Sequence, residues 1–351
     1  MGVIIMEPLI SICIASYNNC RYLKRMLDSA ISQTYKNIEI IIVDDGSTDE
    51  TREVLNAYSD NEKCIIVYKE NGGLSSTRQQ AMELANGEYL CFVDGDDYLS
   101  PTFVEKMYDK ISVEQADICL CGTLFLDVAG NVLERETQEY SVKQCIVQSI
   151  SVSELNSYYM ALTSKFFMSD SWNKLYKRDF LIKHNLSFSM PKGLNGSDLI
   201  FNHKVLLFCP TICTLDSNEY CHVMYKTSAV HRPNKNLLAT YQITIDELIC
   251  ISKTIPELCI MSQLKLLYTN FSRNSLQDIY LEKKNTSKDF KEVEDTYLRS
   301  CDFYESRFKK VKCGYISKAL KLFSYILSIK QVRILRLYLK IRYLLVYKKT
   351  R

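Results

Sequence analysis

The sequence predicts an α/β fold, a doubly wound and mostly parallel sheet over residues 1–232, followed by a mainly helical region over 233–351. Three observations predict it. Between residues 9 and 126, apolar runs of strand length alternate with amphipathic stretches, the pattern of βαβ units. Each run stops at a cluster of Asp, Asn, Ser or Gly, the residues that turns demand. From Asn234 onward the apolar residues recur mainly at helical spacing.

The first strand is Leu9 to Ala15, after which Ser16-Tyr17-Asn18-Asn19 turns into a helix from about Arg21 to Gln33. The second strand, Ile38 to Val43, ends in Asp44-Asp45-Gly46-Ser47-Thr48-Asp49, where Gly46 permits a tight turn and Asp49 can cap a helix running to about Ala57. Cys64 to Tyr68 forms the third strand, and Asn71-Gly72-Gly73 leads into a helix from Leu74 to Ala85. The fourth strand, Tyr89 to Val93, stops at Asp94-Gly95-Asp96-Asp97. Carboxylates crowded at one strand end repel one another, and a cation such as Mg²⁺ or Mn²⁺ relieves them. The bland alternative is an acidic turn before a helix that starts at Ser100-Pro101. Ligands of open parallel sheets bind beyond the carboxyl ends of the strands, so these four polar ends should converge on one crevice.

Composition bounds the function. A chain of 351 residues buries an ample core and holds one large domain with an appendage, or two domains. Residues 303–351 carry 14 Lys and Arg against one acid, Glu305, whereas the preceding residues carry 30 basic and 40 acidic side chains. That asymmetry assigns an anionic partner to the tail alone. No accompanying nucleic-acid motif occurs, so an anionic membrane surface is the expected partner and nucleic acid is not. The 14 cysteines form no CxxC pair and there is no signal-peptide pattern, which points to reduced thiols in the cytoplasm. The longest uncharged run of the tail, Leu322 to Ile329, falls far short of the roughly 20 residues of a spanning helix. The absence of GxGxxG after the first strand and of GxxxxGK[ST] argues against dinucleotide dehydrogenases and P-loop ATPases.

The stretches SICIASYNNCRYLKRMLDSAISQTYKNIEIIIVDDGSTDET and ENGGLSSTRQQAMELANGEYLCFVDGDDYLSP closely resemble the family 2 inverting glycosyltransferases, whose nucleotide-sugar domain has the GT-A fold. The resemblance runs from about Leu9 to Met107. It implies a donor half at residues 9–126 and an acceptor half at 127–232. It further implies that Ala15 and Tyr17 line the nucleotide site, that Asp45 with Asp44 receives the uracil, and that Asn71 and Arg78 approach the nucleotide. Asp94-Gly95-Asp96 stands at the family's DXD motif, with Asp96 the metal ligand and Asp94 toward the ribose or the metal.

The likeness resumes at Ser171-Trp172-Asn173-Lys174-Leu175-Tyr176-Lys177-Arg178. Trp172, the sole tryptophan, reads equally as part of the site or as a core anchor. Between the two stretches, a surface hairpin is expected near Gly130-Asn131, and the aromatic segment Tyr158 to Phe167 is expected to border the acceptor cleft. In Gly193-Leu194-Asn195-Gly196-Ser197-Asp198, the last residue takes the place of the family's catalytic base, while Ser197 departs from the usual Glu. An Asp there also suits a helix cap. Tyr220 to Ser228 matches a family strand that commonly carries Arg before a Ser, but Val223 and Tyr225 hold those places. His222, Lys226, His231 and Arg232 are substitutes, with His222 also a candidate metal ligand. In the tail, Lys330, Arg333, Arg336 and Lys340 recur at helical spacing, as in a helix that lies in a membrane interface.

The implied activity is metal-dependent, inverting hexosyl or N-acetylhexosaminyl transfer from a UDP-sugar to a hydroxyl of a bacterial surface glycan on a lipid carrier. It would proceed at the inner face of the cell membrane. A nucleotidyltransferase is disfavoured, because Ser16-Tyr17-Asn18-Asn19 replaces the basic glycine-rich loop such enzymes usually carry. A non-catalytic glycan- or membrane-binding subunit is the alternative that Ser197 and the missing strand arginines keep open.

Overall fold

A computed structural model describes residues 7–166, 168–225, 236–283, 290–311 and 318–342. The chain divides into two compact units, Met1–Val152 with Ala161–Ser228, and Ser153–Met160 with Ala229–Arg351.

The first unit is built on a nine-stranded sheet. Its first four strands are β1 (Ile10–Ser16), β2 (Ile38–Asp44), β3 (Cys64–Tyr68) and β4 (Tyr89–Asp94). Most successive residues of β1, β2 and β4 are buried on both faces, which is why they read as near-continuous apolar runs, interrupted at Ser11 and Glu39, instead of alternating ones. Three helices connect them: α1 (Cys20–Ile31), α2 (Thr51–Asn56) and α3 (Leu74–Leu84). β5 (Tyr98–Leu99), α4 (Phe103–Val113) and β6 (Ile118–Leu126) follow, then α5 (Glu134–Glu139), β7 (Val147–Ser149), α6 (Val152–Lys165), of which Ser153–Met160 belong to the second unit, β8 (Lys174–Lys177), α7 (Arg178–Lys183), α8 (Ser197–Leu207) and β9 (Thr211–Val223).

The strand order is β3-β2-β1-β4-β8-β6-β9-β5, with β7 also on β9. The long ladders, β1 with β2, β1 with β4, β2 with β3 and β6 with β9, are parallel. The antiparallel ones, through β5, β7 and β8, are short. Register sets Ser16 beside Asp44 and Ala15 beside Asp94, so the polar ends of the first, second and fourth strands lie side by side. Asn18, at φ 50, accepts the Thr48 N–H at 2.8 Å through Oδ1, lacing the first of these ends to the second.

Three local expectations change. Asp49 lies just outside α2, where its carboxylate accepts the N–H groups of Thr51 and Cys20. α4 begins after Thr102, not at Ser100, because the Ser100 hydroxyl is taken by the buried Glu219 of β9. At Gly130, Asp127 gathers the Ala129 and Asn131 N–H groups at 2.9 Å each, closing a turn with a single Leu126–Val132 bridge in place of a full hairpin. The aromatic segment from Tyr158 lies mostly in α6, where Tyr159 is buried and Tyr158 exposed, and Phe166 just beyond it is buried too. Phe167 lies outside the described residues.

The second unit is helical: α9 (Leu237–Ser252), α10 (Met261–Lys283), α11 (Phe290–Phe308), α12 (Lys318–Ile329) and α13 (Val332–Arg342). Its core includes Leu264, Tyr268, Tyr297, Phe308, Phe323 and Leu335. Lys330 is not part of the final helix. It adopts φ 50 at the break between α12 and α13 and pairs with Asp302 and Glu305 of α11. No helix among the described residues is long and apolar enough to cross a membrane.

Candidate active site

The site gathers at the carboxyl ends of β1, β2 and β4. Gly95 is needed there for close approach: its N–H donates to Ala15 O at 3.1 Å, and a Cβ on it would come within 2.0 Å of the Asn19 amide. Ala15 is half-buried, while Tyr17 on the loop beyond is 52% exposed.

Asp44 and Asp45 are both buried and have different partners. Asp44 accepts from Ser47 in its own turn. Asp45 Oδ1 takes the Lys69 ammonium at 2.6 Å and the Gly72 N–H at 2.7 Å, and Oδ2 takes the Gly73 N–H at 2.8 Å. Burial opposes ionisation of Asp45, but the Gly72 amide, Lys69 and the Gly73 amide outweigh it and hold the carboxyl below its usual range. The Asn71 amide donates to Asp45 O at 3.0 Å, so this side chain shapes the same turn.

Arg78 of α3 is 1% exposed, and its guanidinium forks between Asp94 and Asp198. Burial works to neutralise it, but Asp198 and Asp94 raise its affinity for the proton, so the arginine is firmly cationic. Asp198, in the first turn of α8, makes no capping bond, because Gly196 at φ 105 occupies the cap position. Its Oδ1 takes Arg78 and the Ser197 hydroxyl, whereas Oδ2 faces the Ser171 N–H at 3.4 Å. One turn further along α8, the Asn202 amide donates to Asp170 O at 2.7 Å and its carbonyl accepts the Tyr176 hydroxyl at 2.8 Å. The segment 170–176 is thereby stitched to the helix that carries Asp198.

The Asp96 carboxyl is raised to about 7 by burial, then by Asp97 and Asp94. His222 opposes this shift but does not offset it. Among the described residues no ready-made set of three or more His, Cys, Asp or Glu is arranged for a metal. A cation bound mainly through one or two carboxylates and substrate phosphates does not need one. His222 fits the same scheme, since its Nδ1 lies 3.0 Å from Asp97 and its ring stacks on Trp172 at 5.3 Å, fixing the direction of the second ring nitrogen. Burial opposes protonation of His222, but Asp97 and the other acids raise it to about 9. Lys226, His231 and Arg232 lie outside the described residues.

Sequence reasoning missed three contributors. Asp97, fully buried, accepts from the Tyr220 hydroxyl at 2.7 Å, from His222 and from the Val223 N–H at 3.0 Å, anchoring the acidic turn to β9. It stood in plain view as the fourth residue of Asp94-Gly95-Asp96-Asp97. Arg25 of α1 donates to Asp96 O at 3.0 Å and to the Tyr225 hydroxyl at 3.0 Å, and that hydroxyl in turn donates to Asp96 O at 3.1 Å. Nothing in the sequence marks Arg25. Asp170, whose carboxyl is raised by burial and further by Asp198, precedes Ser171-Trp172 and was the easiest to have noticed.

Comparison with known proteins follows the same lines. The family model described as "Glycosyl transferase family 2" matches residues 11–184. The glycosyltransferase GlyA of Streptococcus pneumoniae serotype 4 is 32% identical over 225 residues, which are 64% of this chain but only 32% of GlyA. EpsH of Bacillus subtilis is 30% identical over 242 residues, 67% of each chain. The crystal structure of S. aureus TarS 1-349 in complex with UDP-GlcNAc matches with a TM-score of 0.71 at 18% identity, over 95% of this chain and 91% of that one. That likeness shows the fold, which is GT-A. With the sequence match spanning two thirds of EpsH and the family model covering residues 11–184, the chain belongs to glycosyltransferase family 2.

Proposed function

We propose that the protein is an inverting, metal-dependent glycosyltransferase that moves a hexosyl or N-acetylhexosaminyl group from a UDP-sugar to a hydroxyl of a bacterial surface glycan. The observation that carries this reading is the Asp94–Arg78–Asp198 bridge, which ties the acidic end of β4 to a carboxylate on α8. An inverting transfer requires a base on the acceptor side and charge stabilisation on the leaving-group side of one anomeric carbon. The bridge joins the residues assigned to those tasks.

Asp198 Oδ2 is the atom that takes the proton, because Oδ1 is already held by Arg78 and Ser197. The acceptor oxygen attacks the anomeric carbon, the bond to the β-phosphate oxygen breaks, and UDP departs in one displacement. Asp96, with Asp94 beside it and the second ring nitrogen of His222 once that nitrogen has given up its proton, would hold a Mn²⁺ or Mg²⁺ ion. When bound, such an ion offsets the charge growing on the departing diphosphate. TarS binds UDP-GlcNAc in the same fold, which makes UDP-GlcNAc the first donor to test. A glycan on a lipid carrier is held at a membrane, and the basic tail suits the anionic cytoplasmic face of that membrane.

The test is a screen of UDP-sugars for protein-dependent UDP release with and without Mn²⁺, followed by Asp198→Asn. The amide keeps the shape and cannot take the proton, so transfer should fall by about 100-fold or more with donor affinity near normal. Release of UDP from no donor would favour the non-catalytic subunit, and near wild-type transfer by the Asn variant would move the base elsewhere.

A further inference from the structure

α13 is apolar on two separate faces. Leu335 and Leu339 are fully buried and hold the helix in its unit. Ile334, Leu337 and Ile341 are 42%, 59% and 47% exposed. Their spacing of three and four residues lines them along a second stripe. Arg333, Arg336 and Lys340, also exposed, repeat the same spacing one residue earlier and so form a cationic stripe about a quarter turn away. Arg336 pairs with Glu294, and the other two project from the helix as exposed cations. α12 repeats the pattern more briefly, with Leu322 and Tyr325 more than half exposed beside exposed Lys321.

A helix that only packs on its own unit buries one apolar stripe and presents polar residues elsewhere. Here a second apolar stripe lies outside, and the charges along it have one sign. Resting on the membrane reading above, we propose that α13 lies flat in an anionic lipid surface, with Ile334, Leu337 and Ile341 at the acyl boundary and Arg333, Arg336 and Lys340 among the headgroups. Charge complementarity selects this occupant, since residues 303–351 hold 14 basic side chains against one acid. Among the described residues the helix has 11, too few to span a bilayer and enough to lie along one. Tyr325 is of the type enriched at the headgroup level.

The experiment uses the full chain and vesicles of phosphatidylcholine with or without phosphatidylserine, read by flotation. The intact protein should float with the anionic vesicles and much less with the neutral ones. Leu337→Ser with Ile341→Ser, and separately Arg333→Glu with Lys340→Glu, should each weaken partitioning by about tenfold or more. Both variants should keep the wild-type melting profile and UDP release. Leu337→Trp should shift its emission to the blue on anionic vesicles only. If the intact protein floats and the paired variants float equally well, attachment occurs elsewhere and α13 is not the lipid face, although the membrane reading survives. If the intact protein ignores anionic vesicles, or self-associates through Leu337 and Ile341 instead, both the lipid face and the membrane reading are wrong while UDP release still stands.

Discussion

Arg78→Met should destabilise the N-terminal unit by about 3 kcal/mol, because it strands two carboxylates that now share one buried cation. The general cost of breaking a buried ion pair is about 3 to 5 kcal/mol. Asp94 and Asp198 keep 27% and 15% of their side-chain surface in solvent, so water recovers part of the loss and the lower end applies. A change of that size shifts the ratio of folded to unfolded protein by more than about 100-fold. Trp172, the sole tryptophan, belongs to this unit, so urea unfolding followed by its fluorescence reports the relevant transition without interference from the helical unit. Arg78→Lys should lose less, since an ammonium keeps the charge but not the fork that reaches both acids. Adding Asp198→Asn to Arg78→Met should recover about 1 to 3 kcal/mol by removing one stranded charge. An Arg78→Met variant that unfolds at the wild-type urea concentration, or one that Asp198→Asn fails to rescue, would refute the bridge.

Asp96→Asn should abolish metal-stimulated transfer and strongly weaken metal-dependent UDP binding in calorimetry, while wild-type turnover in excess chelator would remove metal from the reaction altogether. Asp45→Ala separates two readings of one residue: weaker uridine binding at unchanged stability supports a base contact, whereas lost stability at unchanged affinity makes Asp45 the clasp of Lys69, Gly72 and Gly73. Burial works to raise the Glu219 carboxyl, but Lys106, Ser100 and Thr102 outweigh it and hold it below its ordinary value. A depressed carboxyl stabilises the fold above its unfolded pKa of about 4.3 and loses that stability as pH falls through the folded value. Glu219→Gln should therefore be less stable than wild type at pH 7 and show a shallower loss on acidification, measured by melting temperature against pH.

Much of this protein follows from sequence alone. Strands buried on both faces are apolar at nearly every position, so β1, β2 and β4 are visible as runs despite Ser11 and Glu39, and their ends are visible as the places where the run breaks into Asp, Asn and Gly. Parallel connectivity then requires those ends to share one edge of the sheet, which is why Asp44, Asp94 and Ala15 were legible as neighbours. The partner that each charge finds was not legible. The resemblance sends Arg78 toward the nucleotide, yet it also meets an Asp 120 positions away, because α8 packs beside α3. Asp97 reads as one more acid in a cluster, and only the return of β9 beside β6 supplies Tyr220, His222 and Val223 to it. Lys330 keeps the helical spacing of the tail and still leaves the helix, because a left-handed turn and two acids on α11 capture it. Local pattern reports which side chains can be buried and where the chain must turn. The pairing of charges is decided by contacts between segments distant in sequence, and those exist only after the sheet has closed.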